Sequence, residues 1–379
     1  MYSKHLQAGN QRKLKIVDWI GIGCVWLILQ MILLKFLGIN DTQESLKYIG
    51  LADKWVTGDR NFQWYNLFYS GYIAMHILLK DLGLPPKSMY LVQLLISGVA
   101  LYYFVQILTL LLKSRFTIII SAILYASCFI IHQWVTALFT DSVFCNLLII
   151  STYFLMVEEN SLTQKILCWT FILIIPFFRP VGFLFLILVS FYWVTMNLKR
   201  NRKKIIFCFA YLIFIGFIIY KSLLQSADYF YPLHNIQANI ICGYPSNLLK
   251  YQTETYKEGM GIFTYLFDNP AMSIRLFFSR FFKVFSLGRP YYSSLHNMVL
   301  FASTFIYFIL AICGLISIII RKKKHLLFLL VGVLLFSLPC VAFCLEWNGR
   351  FSLPVFCYVL LLSGIGVDWI YNLTRSASS

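Results

Sequence analysis

Long apolar runs separated by short polar connections dominate this chain of 379 residues. A run of about twenty apolar residues is long enough to cross a bilayer as a helix. The pattern predicts an all-α polytopic membrane protein that forms a single membrane domain over residues 1–379. We identify ten spans, several of them shorter than a straight crossing needs; they lie at 17–38, 89–112, 116–133, 142–157, 165–178, 181–198, 204–222, 299–320, 325–343 and 352–371.

One apolar stretch of more than thirty residues, 165–198, is interrupted by Arg179 and Pro180. Proline removes a helix hydrogen bond, and a lone arginine facing lipid is costly. Two short helices that meet at a polar turn resolve both difficulties. We therefore predict two spans here instead of one.

Two of the connections between predicted spans are long loops, at 39–88 and 223–298. The first loop contains two stretches with apolar and aromatic residues at helical spacing. They are Glu44, Tyr48, Leu51, Ala52, Trp55 and Tyr65, Phe68, Tyr72, Met75, Leu79. Such stretches are typical of amphipathic helices that lie in the membrane interface. A true span over 65–82 is the alternative, but it would invert the orientation of every later connection.

Composition agrees with a membrane protein, since 60% of the residues are hydrophobic, 12% are charged and the mean hydropathy is +0.75. A soluble domain has roughly twice that charged fraction. The net charge of +17 would suggest nucleic acid in a soluble protein, but here the basic residues mostly cap apolar runs. No nucleic-acid partner is predicted. The ten cysteines contain no CxxC pair, so neither a disulfide framework nor a zinc site is indicated.

The distribution of lysine and arginine predicts the orientation. One set of alternate connections and the two termini carry 17 of them, whereas the opposite side carries 13, mostly spread over the two long loops. Short cytoplasmic loops are enriched in basic residues. Both termini are therefore predicted to be cytoplasmic and both long loops to face outward. The first span follows Arg12, Lys13 and Lys15 without a cleavage site, so we expect it to be retained.

This orientation collects a set of polar side chains on the outer face. The set comprises the candidate catalytic carboxylates Asp41, Glu44 and Asp141 and the candidate substrate-binding residues Tyr48, His132, Arg179, Arg275, Arg280, Arg289 and Arg350. A carboxylate beside arginines suits one chemistry, in which the carboxylate acts as general base on a hydroxyl while the arginines hold a phosphate leaving group. Two carboxylates sharing a divalent metal is an open alternative, although no Asp/His set is spaced as a metal site.

Each of these side chains also has a structural interpretation. The three carboxylates precede or begin helical segments and can serve as helix caps. His132 fits an interfacial hydrogen bond better than catalysis. The arginines can extend to lipid phosphates or anchor the ends of spans. The convergence of the set on one face, not any single member, favours a functional site.

Four segments of the chain together resemble the GT-C superfamily of membrane glycosyltransferases, which includes the protein O-mannosyltransferases and the bacterial aminoarabinose transferases of lipid A. The segments occur in the order that the family has. They are ESLKYIGLA at 44–52 followed by Gly58, FTDS at 139–142, FRPVG at 178–182 and GRFSLP at 349–354.

The resemblance implies a transferase that takes a sugar from a polyprenyl-phosphate carrier. Its first outer loop would form two interfacial helices and carry the catalytic acid. Aligned on Tyr48, that acid falls on Glu44, where the family usually has Asp; Asp41 is the alternative, and Asp141 matches the family's second acid. We expect no counterpart of the large C-terminal soluble domain that some members carry, and therefore expect the outer loops to recognise the acceptor.

The sequence therefore predicts an inverting glycosyltransferase of cell-envelope glycan biosynthesis. It would sit in a cell membrane, by expectation a bacterial inner membrane, with its active site on the extracytoplasmic side. The partners are a polyprenyl-phosphate-linked sugar and a glycan, lipid or protein acceptor; no certain cofactor is predicted. A polysaccharide polymerase or ligase is one alternative. A lipid-linked glycan flippase or transporter is another, but it should place ionisable groups near the bilayer midplane.

The predicted orientation can be tested by cysteine-accessibility labelling. A cysteine introduced at Ser246, in the second long loop, should react with a membrane-impermeant reagent applied from outside. The positive-inside distribution is the physical reason. Labelling of this cysteine from the cytoplasmic side alone would contradict the orientation.

Overall fold

The structure, a computed structural model, describes residues 14–41, 43–58, 63–157, 161–225, 292–343 and 349–377, together with scattered positions between 270 and 288. The described residues form helices and no named strand. The helices are α1 (Ile16–Leu37), α2 (Gln43–Val56), α3 (Ser70–Asp81), α4 (Met89–Leu111), α5 (Arg115–Ala126), α6 (Phe129–His132), α7 (Thr140–Met156), α8 (Leu162–Ile174), α9 (Phe183–Gln225), α10 (Ser294–Ile320), α11 (Leu327–Phe343) and α12 (Leu353–Ala377).

Short 3₁₀ turns join several of these helices. They lie at Trp64–Tyr69, Pro86–Ser88, Gln133–Val135, Ile175–Phe177, Pro180–Gly182, Lys324–Leu326 and Arg350–Ser352. The turns position side chains that the regular helices on either side cannot reach.

Among the described residues, six helices are long and apolar enough to cross a membrane, and α5 with α6, bent by 41°, makes a seventh if the pair is one span. Three shorter apolar helices lie at Thr140–Met156, Leu162–Phe177 and Pro180–Met196. The all-α multi-pass architecture predicted from the sequence is therefore confirmed. Each of the ten predicted spans coincides with one of these apolar segments.

α9 is helical at every residue from Phe183 to Gln225, whereas the sequence predicts two separate spans over this range, 181–198 and 204–222. Nevertheless, the Asn201 amide donates to the Trp193 carbonyl oxygen over 3.1 Å. Eight residues of straight helix rise about 12 Å, which is too far for that bond. The Trp169 ring also contacts both Trp193 and Phe207, at centroid distances of 5.4 and 5.0 Å. The chain therefore reverses near the basic residues, and its two apolar halves lie against the same neighbour.

The first long loop contains the two helices that the sequence predicts. α2 matches the first stretch; the second begins as the 3₁₀ turn Trp64–Tyr69 and continues as α3. α3 has 12 residues, and neither α3 nor the turn before it is among the described helices that are long and apolar enough to cross a membrane. Lys80 joins α3 to Asp53 of α2 over 2.7 Å. The segment is a short helix packed on α2.

The core of the bundle surrounds α7, which is buried over nearly its whole length, and the part of α12 at 353–366, which is fully buried. α12 packs most closely against α10. A Cβ placed on Gly366 would lie 1.9 Å from the Leu310 carbonyl oxygen, and one placed on Gly314 would lie 2.0 Å from the Leu362 carbonyl oxygen. Glycine on both helices therefore permits backbone-to-backbone contact, as small residues do at membrane helix interfaces.

This crossing predicts a position-specific effect of alanine. Gly366→Ala should lower the apparent melting temperature in detergent by several degrees, because the new methyl group forces the two backbones apart; overpacking typically costs about 1–3 kcal/mol. Gly216→Ala is the matched control, since a Cβ there meets nothing within 4 Å and alanine is the better helix former. Equal melting temperatures for the two variants would contradict the close contact.

Candidate functional site

Four charged side chains from distant parts of the chain meet in one cluster, which we call the ion cluster. Arg350 donates from Nη1 and Nη2 to the two carboxylate oxygens of Glu44, the latter over 2.6 Å. Its Nε donates to one oxygen of Asp141, and Arg179 Nη1 donates to the other. The Arg350 guanidinium therefore bridges both carboxylates, and Asp141 bridges both arginines.

Local backbone geometry presents these side chains. Asp141 lies in the first turn of α7. Arg179 has extended backbone angles (φ −157°, ψ 146°), as a residue before proline prefers. Gly349, which precedes Arg350, has φ +76°, a conformation that glycine adopts without strain. The two arginines thus leave the chain at irregular turns and not from regular helices.

Two glycines allow the turns around Arg179 to pack tightly. A Cβ on Gly182 would lie 2.7 Å from the Ile175 carbonyl oxygen, which closes the turn containing Arg179. A Cβ on Gly71, in α3, would lie 2.7 Å from the Phe178 ring. The first loop and the Arg179 turn are therefore in direct contact, which brings Glu44 and Arg179 to the same site.

Burial differs sharply among the four members of the ion cluster. The Asp141 side chain is 0% exposed, that of Arg350 is 3% and that of Arg179 is 6%, whereas 31% of the Glu44 side chain is exposed. The two negative and two positive charges cancel, as buried charges require. Glu44 is therefore the member of the ion cluster that a molecule outside the bundle can contact.

The pKa of Glu44 reflects this environment. Burial alone would raise the pKa, but the hydrogen bonds and charge of Arg350 and the hydrogen bond from Tyr48 outweigh it and lower the pKa to about 2. The carboxylate is therefore ionised at any physiological pH. Burial raises the pKa of Tyr48, so its hydroxyl stays protonated and donates to Glu44 over 2.8 Å.

Aromatic rings enclose the arginines. The Arg350 guanidinium lies 4.6 Å from the Phe139 ring centroid and 5.5 Å from that of Phe351, and Arg179 lies 5.1 Å from the Phe351 ring. Cations are attracted to ring faces, and rings also exclude water. The low local dielectric strengthens the contacts within the ion cluster.

A group of four tyrosines, the tyrosine set, lies beside Glu44. Tyr48 packs against Tyr69 and Tyr72 at centroid distances of 5.4 and 5.3 Å, and the Tyr65 and Tyr69 hydroxyl oxygens are 2.8 Å apart. The Lys47 ammonium lies over the rings of Tyr65 and Tyr69, 5.1 and 5.7 Å from their centroids. The first loop therefore supplies an aromatic surface next to the carboxylate.

A hydrogen-bonded frame fixes the first loop to the 133–139 connection. The Asn40 amide donates to the Thr136 carbonyl over 2.9 Å, and the Leu138 amide donates to the Asn40 carbonyl over 3.0 Å. The Gln93 side chain donates to two carbonyl oxygens of the same connection and accepts from Tyr72 over 3.1 Å. These bonds hold Glu44 and Asp141 in a common framework.

Besides Tyr48, which donates a hydrogen bond to Glu44, two described residues of the predicted site lie outside the ion cluster. Asp41 is half-exposed and lies 3.7 Å from the Lys87 ammonium. His132 is buried, with Nε2 3.0 Å from the Tyr125 carbonyl oxygen and its ring against that of Tyr125. The sequence left Asp41 and Glu44 as alternative bases; of the two, Glu44 alone joins Asp141, Arg179 and Arg350.

The three remaining predicted cations, Arg275, Arg280 and Arg289, lie outside the described residues. Sequence reasoning missed Lys47, Phe139, Phe351 and Gln93. The aromatic side chains are too frequent in this chain to stand out, and Gln93 lies inside an apolar run, where a single amide was the available signal. Within the described ranges, no group of three or more His, Cys, Asp or Glu side chains is arranged to hold a metal ion.

Burial predicts unequal costs for two aspartate substitutions. Asp141→Asn should strongly destabilise the protein, because Arg179 and Arg350 lose a buried counter-charge; breaking such a pair typically costs about 3–5 kcal/mol. Asp53→Asn, which weakens the exposed pair with Lys80, should cost roughly 0–1 kcal/mol. The measurement is the temperature at which half of the detergent-solubilised protein stays monodisperse. Equal losses would show that the ion cluster adds no special stability.

The ion cluster contains one residue from each of the four segments that carry the sequence resemblance. Comparison with known proteins adds no relative: no family model, no curated protein and no solved structure matches this chain. The family therefore stays a prediction, and the function is inferred from the geometry of the ion cluster.

Proposed function

We propose that this protein is a membrane-embedded glycosyltransferase of the GT-C type that moves a sugar from a polyprenyl-phosphate donor to an acceptor hydroxyl. One observation carries the proposal. The four charged residues that the sequence singles out in separate segments meet in one buried cluster whose carboxylate Glu44 remains accessible. A carboxylate and arginines at one site are the groups this transfer requires.

The energetic cost of the ion cluster favours a functional role. Removing two carboxylates and two guanidinium groups from water is expensive, and apolar side chains of similar volume often stabilise a protein equally well. Ionisable groups inside membrane proteins are rare for the same reason and mark functional sites. A cluster that only joined helices would not need an exposed carboxylate edge.

The orientation and the number of crossings belong to the same proposal. The three short apolar helices would complete ten spans, since a helix of 17 residues such as α7 rises about 25 Å. With both termini cytoplasmic, α2, α3 and the ion cluster would lie at the extracytoplasmic surface. A lipid-linked donor presents its phosphate and sugar at this depth.

The proposed reaction is a single displacement. The acceptor hydroxyl gives its proton to a Glu44 carboxylate oxygen while its oxygen bonds to the anomeric carbon. The bond between that carbon and the phosphate oxygen breaks, and the polyprenyl phosphate leaves with the electron pair. Because attack and departure take place on opposite faces of the sugar, the anomeric configuration inverts.

Arg350 has two roles in this scheme. In the structure it holds both oxygens of Glu44, and a carboxylate with a pKa of about 2 is a weak base. A donor phosphate competes for the same guanidinium, since arginine binds carboxylate and phosphate with the same two-pronged geometry. Each Glu44 contact that passes to the phosphate raises the pKa of Glu44. Donor binding would thereby prepare the base.

Asp141 fits a positioning role. It is fully buried and already accepts from both arginines, so its oxygens are not available to an acceptor. It keeps Arg179 and Arg350 together when Arg350 exchanges a carboxylate for a phosphate. Asp41 is less suited to catalysis because it lies outside the ion cluster.

The base assignment is tested by two separate amide substitutions. Glu44→Gln should reduce sugar transfer from a polyprenyl-phosphate donor by about 10²–10⁴-fold, the typical contribution of a general base. Asp41→Asn is the matched control and should retain nearly full activity, since Asp41 lies outside the ion cluster and pairs with the exposed Lys87. Transfer is measured with purified protein in membranes.

Three outcomes would change the interpretation. Loss of transfer in Asp41→Asn with full activity in Glu44→Gln would move the base to Asp41. Wild-type rates of transfer in both variants would contradict the assignment of the base to either carboxylate. Absence of sugar transfer by the wild-type protein would contradict the enzyme mechanism and favour a transporter of lipid-linked glycans.

A further inference from the structure

A lysine that the scheme above does not use lies next to the proposed base. Lys47 follows Glu44 by three residues in α2, so the two side chains are neighbours on the helix surface, with Cβ atoms about 5–6 Å apart. Lys47 is exposed, in contrast to Arg179 and Arg350. A ligand that reaches Glu44 from outside the bundle therefore also meets Lys47.

The surroundings of Lys47 fix its ammonium group. It lies over the faces of Tyr65 and Tyr69, and the Tyr69 ring in turn packs on Tyr48, whose hydroxyl binds Glu44. Ring faces attract a cation, so these contacts favour one position of the ammonium group. The aromatic contacts keep a flexible side chain close to the base, and less ordering is needed when a ligand binds.

The net charge of the site is the reason to assign a role in ligand binding to Lys47. The ion cluster is neutral, with two carboxylates against two guanidinium groups. A sugar-phosphate diester carries one negative charge, which would be unbalanced beside a neutral cluster in a partly dehydrated site. Lys47 adds one positive charge, so the ion cluster, the donor phosphate and Lys47 together carry no net charge when the donor is bound.

We infer that Lys47 binds the phosphate of the lipid-linked donor, on the surface of α2 that also carries Glu44. The inference rests on the proposed function and adds the residue that balances the donor's charge. In the displacement, the acceptor hydroxyl and the donor phosphate lie on opposite sides of one sugar. The base that contacts the hydroxyl and the group that binds the phosphate must therefore be neighbours on the protein. Glu44 and Lys47 are neighbours of this kind.

A binding experiment without turnover tests this role. The purified protein is placed in nanodiscs of phosphatidylcholine, and the Kd for polyprenyl phosphate is measured by titration. Lys47→Gln should raise the Kd about tenfold, because a charge-assisted contact is lost, whereas Lys47→Arg should stay within about threefold of wild type. Binding of uncharged polyprenol should be the same in all variants.

Lys54→Gln is the matched control. Lys54 lies two turns further along the same exposed side of α2, about 10 Å away along the helix axis. Its substitution should leave the Kd unchanged, which separates a specific contact from general attraction by surface charge.

The outcomes separate the two proposals. Tight binding by wild type with an unchanged Kd in Lys47→Gln would overturn the role of Lys47 and leave the proposed function standing. Equal weakening by Lys47→Gln and Lys54→Gln would also overturn it, as would equal competition by phosphatidylglycerol, which would indicate a general headgroup site. Failure of the wild-type protein to bind polyprenyl phosphate would overturn both proposals.

Discussion

The guanidinium of Arg350 is the group on which the arrangement of the site depends. It binds two carboxylates at once, and those carboxylates come from the first loop and from the start of a central helix. Without it, Asp141 would face a single arginine, and Glu44 would lose the partner that keeps it ionised in a half-buried place. The residues that shape the site, from the extended backbone at Arg179 to the rings of Phe139 and Phe351, are arranged around this one contact.

The location of the ion cluster also explains how an apolar bundle can carry charge. At the other end of the bundle, Arg115 pairs with Asp18 over 2.7 Å, and Asp368 accepts from Thr117 over 3.0 Å. Among the described residues, the buried charges thus have partners at both ends, and apolar packing occupies the middle. The site end differs in one respect, because one carboxylate of its network is open to a ligand. That asymmetry distinguishes a network that can react from one that only joins helices.

The sequence predicted where the helices lie but not which of the site residues bind one another. Apolar runs located the apolar helices, because a membrane-crossing helix needs a minimum length. The basic residues near 199–204 marked the reversal within α9, although the helical residues continue through it. The same reasoning selected Glu44, Asp141, Arg179 and Arg350 as charges beside apolar runs. It did not show that Arg350 binds both acids, since that contact joins residues 306 positions apart. Nor did the sequence decide between Asp41 and Glu44, because these residues differ in burial and not in the pattern of residues around them.

The sequence separation within the ion cluster has a consequence for the order of biosynthesis. Three of its members, Glu44, Asp141 and Arg179, leave the ribosome in the first half of the chain, and Arg350 follows near the end. At roughly 5–20 residues per second, the intervening segment takes on the order of ten to thirty seconds to synthesise. During that interval two carboxylates share a single arginine, so the unfinished site is a net anion in a poorly hydrated place. A chain that ends before Arg350 lacks the guanidinium that pairs with Glu44 and Asp141, so its site keeps one negative charge more than the finished site.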